Sequence, residues 1–187
     1  MAVAATPNGT TVQTNTYAAL ASTTLAATAN SINITGISQN YTDLVIVIVG
    51  YQYTSNSWGS VQIRFNGAAS TDYSSTYIMN YGGSLSGVNY ANVSDALSGV
   101  RLPDNTAGAS TAVGNIQIDI LNYSSATSPK MYIGKNFVGR VDQAHVTQSG
   151  GGQFRPAGAI TSVSLTAVTD PPLNVGTVMT IYGIKAA

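Results

Sequence analysis

Residues 43–50 read DLVIVIVG, and six of them in succession, Leu44 to Val49, are apolar. Side chains of a β-strand alternate between two faces, so this run asks for cover on both. One set, Leu44, Ile46 and Ile48 or else Val45, Val47 and Val49, packs in a core. The other set needs a second lid. Each buried aliphatic side chain is worth about 1.5–3 kcal/mol. Three left wet would forgo roughly 5–9 kcal/mol, comparable with the net stability of a whole domain, about 5–15 kcal/mol. The lid is either the segment 17–29 or a neighbouring copy of the chain, and the sequence favours the neighbour.

Strand signals recur along the body from residue 31. SINITGI alternates and turns at Gly36. SVQIRFNG sets Val61, Ile63 and Phe65 against Gln62 and Arg64 and ends in Asn66-Gly67, a strong turn signal. STYIMNYGG stops at two glycines, and VGNIQIDILNY sets Ile116, Ile118 and Ile120 against Gln117, Asp119 and Leu121. KMYIGKNFVG follows, then AITSVSLTAVT with Ile160, Val163 and Leu165 as core candidates, and TVMTIYGIK closes the body. SDALSGVRL reads as a strand or a short helical turn. The reading is all-β: a jelly-roll-like antiparallel β-sandwich of about eight to ten strands over residues 31–187. Residues 1–30 carry no charged side chain and only one large aromatic, Tyr17. They read as an extended N-terminal arm that orders against a partner.

The composition points the same way. Every acid is Asp, there is no Glu, and only 7% of residues are charged, so helix-forming surface residues are scarce. The seven basic residues are scattered singly and the formal net charge is zero. Nucleic-acid binding needs clustered Lys and Arg, and a polybasic membrane patch needs the same, so neither partner is expected. The longest apolar run falls far short of a membrane span. MAVAATPNG lacks the basic and apolar regions of a secretory signal. Without cysteine the chain forms no disulfide and no thiolate metal site. A neutral, uncharged β surface risks self-association and suits an assembly.

No catalytic centre, cofactor site or metal site is expected. The single histidine, His145, follows Asp142 by three residues, with no G-x-S-x-G elbow anywhere. The seven aspartates are isolated from one another, most at turns or strand starts. SGGGQFRP at 149–156 lacks the ending of a phosphate loop and reads as a flexible hairpin or interface loop. LPDNT and VTDPPLN hold too few oxygen ligands for calcium. The candidate binding residues are Tyr51, Tyr53 and Trp58 in GYQYTSNSWGS, which fit a subunit interface or, alternatively, a sugar ring. Val45, Val47 and Val49 complete the candidate interface set.

Taken in order, SINITGI, YTDLVIVI, IRFNG, IQIDILNYS, AITSVSLT and MTIYGI resemble a group of small β-rich virion structural proteins of tailed bacteriophages. The resemblance covers about residues 31–185. It implies a virion role as a head decoration (cement) protein, or as a tail or fibre component. It also implies homotrimers, a major capsid protein or other virion protein as partner, and no catalytic residues. The capsid surface is the favoured location. A tail-fibre or carbohydrate-binding module that holds a host glycan is the alternative.

Overall fold

The computed structural model describes residues 2–5, 11–14, 17–50, 59–98, 100–103, 114–139, 145–168 and 172–185. The strands are β1 (Ala2–Ala5), β2 (Thr11–Thr14), β3 (Tyr17–Thr24), β4 (Ser31–Thr35), β5 (Asp43–Gly50), β6 (Gly59–Phe65) and β7 (Tyr73–Tyr81). They continue with β8 (Ser84–Val93), β9 (Arg101–Leu102), β10 (Gly114–Leu121), β11 (Lys130–Val138), β12 (Val146–Phe154), β13 (Ser162–Ala167) and β14 (Val178–Ile184). A single 3₁₀ turn, Ser70–Asp72, is the only helical element among the described residues.

The protein is an all-β sandwich. One sheet has eight strands in the order β3-β14-β5-β10-β11-β12-β7-β8, and the second has four in the order β4-β13-β6-β9. Every strand pair is antiparallel. The alternating segments become strands because their apolar parity matches the gap between the sheets. Ile116, Ile118 and Ile120 from β10 meet Leu44, Ile46 and Ile48 from β5 in register. Across the gap stand Ile32, Ile34, Val61, Ile63, Phe65, Val163 and Leu165, all buried. Phe65, Tyr73 and Phe154 fill one end of the core, with ring centroids 5.0 to 5.8 Å apart.

Turn chemistry falls where the sequence places it. Asn66 and Gly67 both have positive φ, 54° and 67°. The Asn66 side chain then reaches across to a distant loop. Its Nδ2 donates to the Ala159 carbonyl at 2.8 Å, and its Oδ1 accepts from the Thr161 and Ser162 amides at 2.8 and 3.1 Å.

Four readings change. More strands form than eight to ten, because Ser84–Val93 and Arg101–Leu102 pair within the loosely patterned middle and β1 and β2 pair before the body. Tyr17–Thr24, placed by the sequence in the arm, is β3 and pairs with β14. SGGGQFRP is no hairpin loop. Gly150, Gly151 and Gly152 lie inside β12, between β11 and β7. They are glycines because the neighbouring backbones leave no room: a Cβ on Gly150 would stand 2.2 Å from the Thr76 carbonyl oxygen, and one on Gly152 would stand 1.9 Å from that of Ser74. Finally, Leu44, Ile46 and Ile48 are the core set of the opening run. Of the other set, Val45 is buried within the single chain, Val47 is half-buried and Val49 is 39% exposed. Val45 lies beside Tyr182 in register, and the Tyr182 ring stacks on Tyr17 of β3 at 4.9 Å. The segment 17–29 thus supplies part of the second lid.

Candidate functional site

Strands β10 and β11 pair in register from Gly114↔Val138 to Leu121↔Met131, but they divide their side chains in opposite ways. β10 points isoleucines inward and Asn115, Gln117 and Asp119 outward. β11 buries Lys130, Tyr132, Gly134 and Asn136 and turns Met131, Ile133 and Phe137 outward, 54%, 61% and 46% exposed.

The inner residues of β11 are shaped by residues 95–98 and 100–103, which lie against them. Leu97 lies against Gly134, where a Cβ would come within 2.0 Å of Leu97 Cδ1. Asn136 Nδ2 donates to the carbonyls of Arg101 at 2.9 Å and Asn115 at 3.0 Å. Its Oδ1 accepts the Arg101 amide at 3.3 Å. The Tyr132 hydroxyl donates to the Ser74 carbonyl at 2.6 Å. Lys130 is fully buried, and its Nζ donates to the carbonyls of Ser128 and, at 3.0 Å, Ala157. Burial holds this ammonium below the usual lysine range. The inner side of β11 therefore fastens loops and neighbouring strands, while Tyr132 also packs in the core against Phe65.

The outer side has no such task. Ile78 on β7 and Leu85 on β8 are 60% and 73% exposed. With Phe137 and Lys135 they wall a groove of about 480 Å³ on the outer face of the large sheet, floored by Thr147 and Ser149. Beside it lies a shallower depression of about 540 Å³. There Gly151 sits between Ile133 and Thr76. Leu121, 51% exposed, extends the apolar surface on β10. Exposed apolar residues are ordinary singly; here Leu121 and Met131 are in-register partners, while Thr147, Ser149 and Gly151 of β12 lie between the β11 row and Ile78 and Leu85. Lys135 on β11 and Asp119 on β10 are the charges among them, and Asp119 accepts from Gln117 Nε2 at 3.1 Å. Such a face is equipped to adhere, through apolar contact and a few polar anchors.

Of the residues singled out by sequence, Tyr51, Tyr53 and Trp58 lie outside the described residues. Val49 lies on the outer face, in register with Asn115. His145 is exposed just before β12, while Asp142 lies outside the described residues. Asp43 accepts the Asn122 amide at 2.7 Å, so its carboxylate ties the start of β5 to the turn after β10, a partner distant in sequence rather than local. Asp95 differs: it is buried, and loss of water pushes its carboxyl up to about 6, against the pull of the Ser98 hydroxyl and Arg64. Among the described residues no three His, Cys, Asp or Glu side chains gather as a metal site would require.

Met131, Ile133, Phe137, Ile78 and Leu85 escaped the sequence reading. In KMYIGKNFV both parities hold large side chains, so alternation alone does not say which set faces water. The signal lay in the small and polar set, Gly134 and Asn136, which fits a strand crossed closely by backbone. No family model, curated protein or solved structure matches the chain.

Proposed function

We propose that the chain is a structural protein of a bacteriophage virion, a trimeric head decoration protein that stabilises the capsid shell. The observation that carries this reading is the outward row Met131, Ile133 and Phe137, joined by Ile78 and Leu85, on a strand whose inner side fastens loops and neighbouring strands. The ordered motifs from SINITGI to MTIYGI supply the virion context. In this reading each trimer sits over a junction between capsid subunits and lays the outer face of its large sheet on the shell. The surface has little charge to desolvate, and 7% of the chain is charged. Contacts that are weak singly act together at fixed symmetry through high effective concentration. A protein that binds the assembled shell and not its free subunits stabilises the shell by linkage.

Electron microscopy of purified particles is the test. Density for this fold at regular sites on the head is the expected result. Density confined to the tail tip would sink the decoration reading in favour of a receptor-binding module, and absence from particles would sink both.

A further inference from the structure

Two parts of the chain carry open strand edges that cannot serve each other within one molecule. The first is β8, the last strand of the large sheet. SLSGVNYANV contains no charge and no proline, and its side chains are exposed from Ser84 to Asn92 except half-buried Val88. Exposed edges are ordinarily blunted by Lys, Pro or a bulge. The one irregularity here lies at the far end, between Tyr73 and Ser75 of the partner strand. Gly82 and Gly83, with φ of 56° and 88°, make a two-residue turn that joins β7 to β8. Such a turn makes Tyr81 and Ser84 a hydrogen-bonded pair, and bonded and non-bonded pairs then alternate. The amides of Leu85, Gly87 and Asn89 therefore point away from β7.

The second part is the β1–β2 hairpin, which pairs with no other strand among the described residues. A lone two-stranded ribbon is marginal in water. Its reach is short. Thr11 is six residues before Tyr17, where β3 begins. At about 3.5 Å per residue the near strand extends no more than about 21 Å from β3. β3 and β8 are opposite edges of the eight-stranded sheet, seven spacings of about 4.8 Å apart, or about 34 Å along the sheet. The hairpin is tethered to the β3 edge, whereas the outward amides of β8 lie at the opposite edge.

We propose that the β1–β2 hairpin of one copy adds to β8 of a second copy, so that copies join head to tail through main-chain hydrogen bonds. Strand addition of this kind takes affinity from the backbone and tolerates bland side chains, which suits AVAA and TVQT. A head-to-tail contact builds a ring when its rotation closes. The proposal concerns the chain's self-assembly and stands whether or not it belongs to a virion.

Two full-length variants separate giver from receiver. Val3→Pro with Val12→Pro removes hairpin amides. Gly87→Pro removes an outward β8 amide, and a Cβ there meets nothing within 4 Å; Gly87→Lys is the milder substitute if the proline variant misfolds. The native chain should be oligomeric by light scattering, with the outward β8 amides protected from hydrogen exchange. Each variant alone should be monomeric, with β8 exchange faster by 10-fold or more and β10 and β11 unchanged. Mixed, the two variants should form a one-to-one dimer that grows no further, since one retains only a receiving edge and the other only a hairpin. A monomeric native chain overturns the proposal. So does a hairpin variant that keeps its oligomer, because β8 would then be pairing with something else. Each outcome is read without phage particles, so it is independent of the particle experiment.

Discussion

Strands β10 and β11 are neighbours in one sheet, share a register and face the same core. β10 is built as isolated strands are expected to be, with isoleucine inside and, Leu121 apart, amide or carboxylate outside. β11 departs from this: its inner side carries Lys130, Tyr132, Gly134, Asn136 and Val138, and its outer side carries Met131, Ile133, Lys135 and Phe137. The difference shows that burial has two currencies here. β10 contributes apolar area. β11 contributes clearance for Leu97 and hydrogen bonds for Arg101, Ser128 and Ala157. A strand with its inner side so committed is free to present apolar groups to a partner.

Ile118 and Gly134 are in-register partners, so they offer the sharpest contrast. Ile118→Ala should cost about 4 kcal/mol, since it opens a cavity in a fully buried row, and thermal or denaturant unfolding would measure it. A loss under 1 kcal/mol would mean that the core collapses easily and that β10 is less decisive than its pattern suggests. On the other strand, an added methyl should do harm. Gly134→Ala should cost about 2 kcal/mol by overpacking against Leu97. Were it neutral or stabilising, the account of clearance would be wrong.

The residues that lie against β11 also carry a titration. Asp95 is pushed up to about 6 by burial, from an ordinary value of 3.8. Between these values the folded state holds a proton that the unfolded state has released, so stability falls as pH rises from about 4 to about 6. The expected drop is about 2 kcal/mol. Asp95→Asn should flatten this part of the profile, which denaturant melts at pH 4, 5, 6 and 7 would record. An unchanged slope in the variant would assign the dependence elsewhere. The smallest effect on stability belongs to the outer row. Met131→Gln with Ile133→Thr should shift unfolding by no more than about 0.5 kcal/mol while lowering occupancy on particles at least 10-fold. A large loss of stability would show that these side chains serve the fold.

Most of the sandwich was legible because apolar parity alone fixes a strand that has one dry face. At β6, and at β10 apart from its terminal Leu121, only one parity is apolar, so Phe65 and Ile118 had one place to go. The opening run was legible as a strand, but which set would be core was not, since Leu44 and Val45 are equally apolar. The glycines of β12 were misread because Gly150 and Gly152 are required by backbone approach across strands, a property of pairing partners that are distant in sequence. The outer face was hidden for the same reason. Only the placement of Leu97 and Arg101 decides which side of β11 is inside.

The position of β14 has a further consequence. Residues 178–184 lie between β3 and β5, so Ile184 faces Tyr17 on one side and Asp43 on the other. During synthesis β3 and β5 are made early and cannot meet, because the strand that joins them is still unmade. The ribosome must release residue 184 before the large sheet is continuous. Until then both strands expose edges, the condition in which nascent β chains associate wrongly. A chain that stops before β14 leaves β3 cut off from β5, so the pairing of β3 waits on β14.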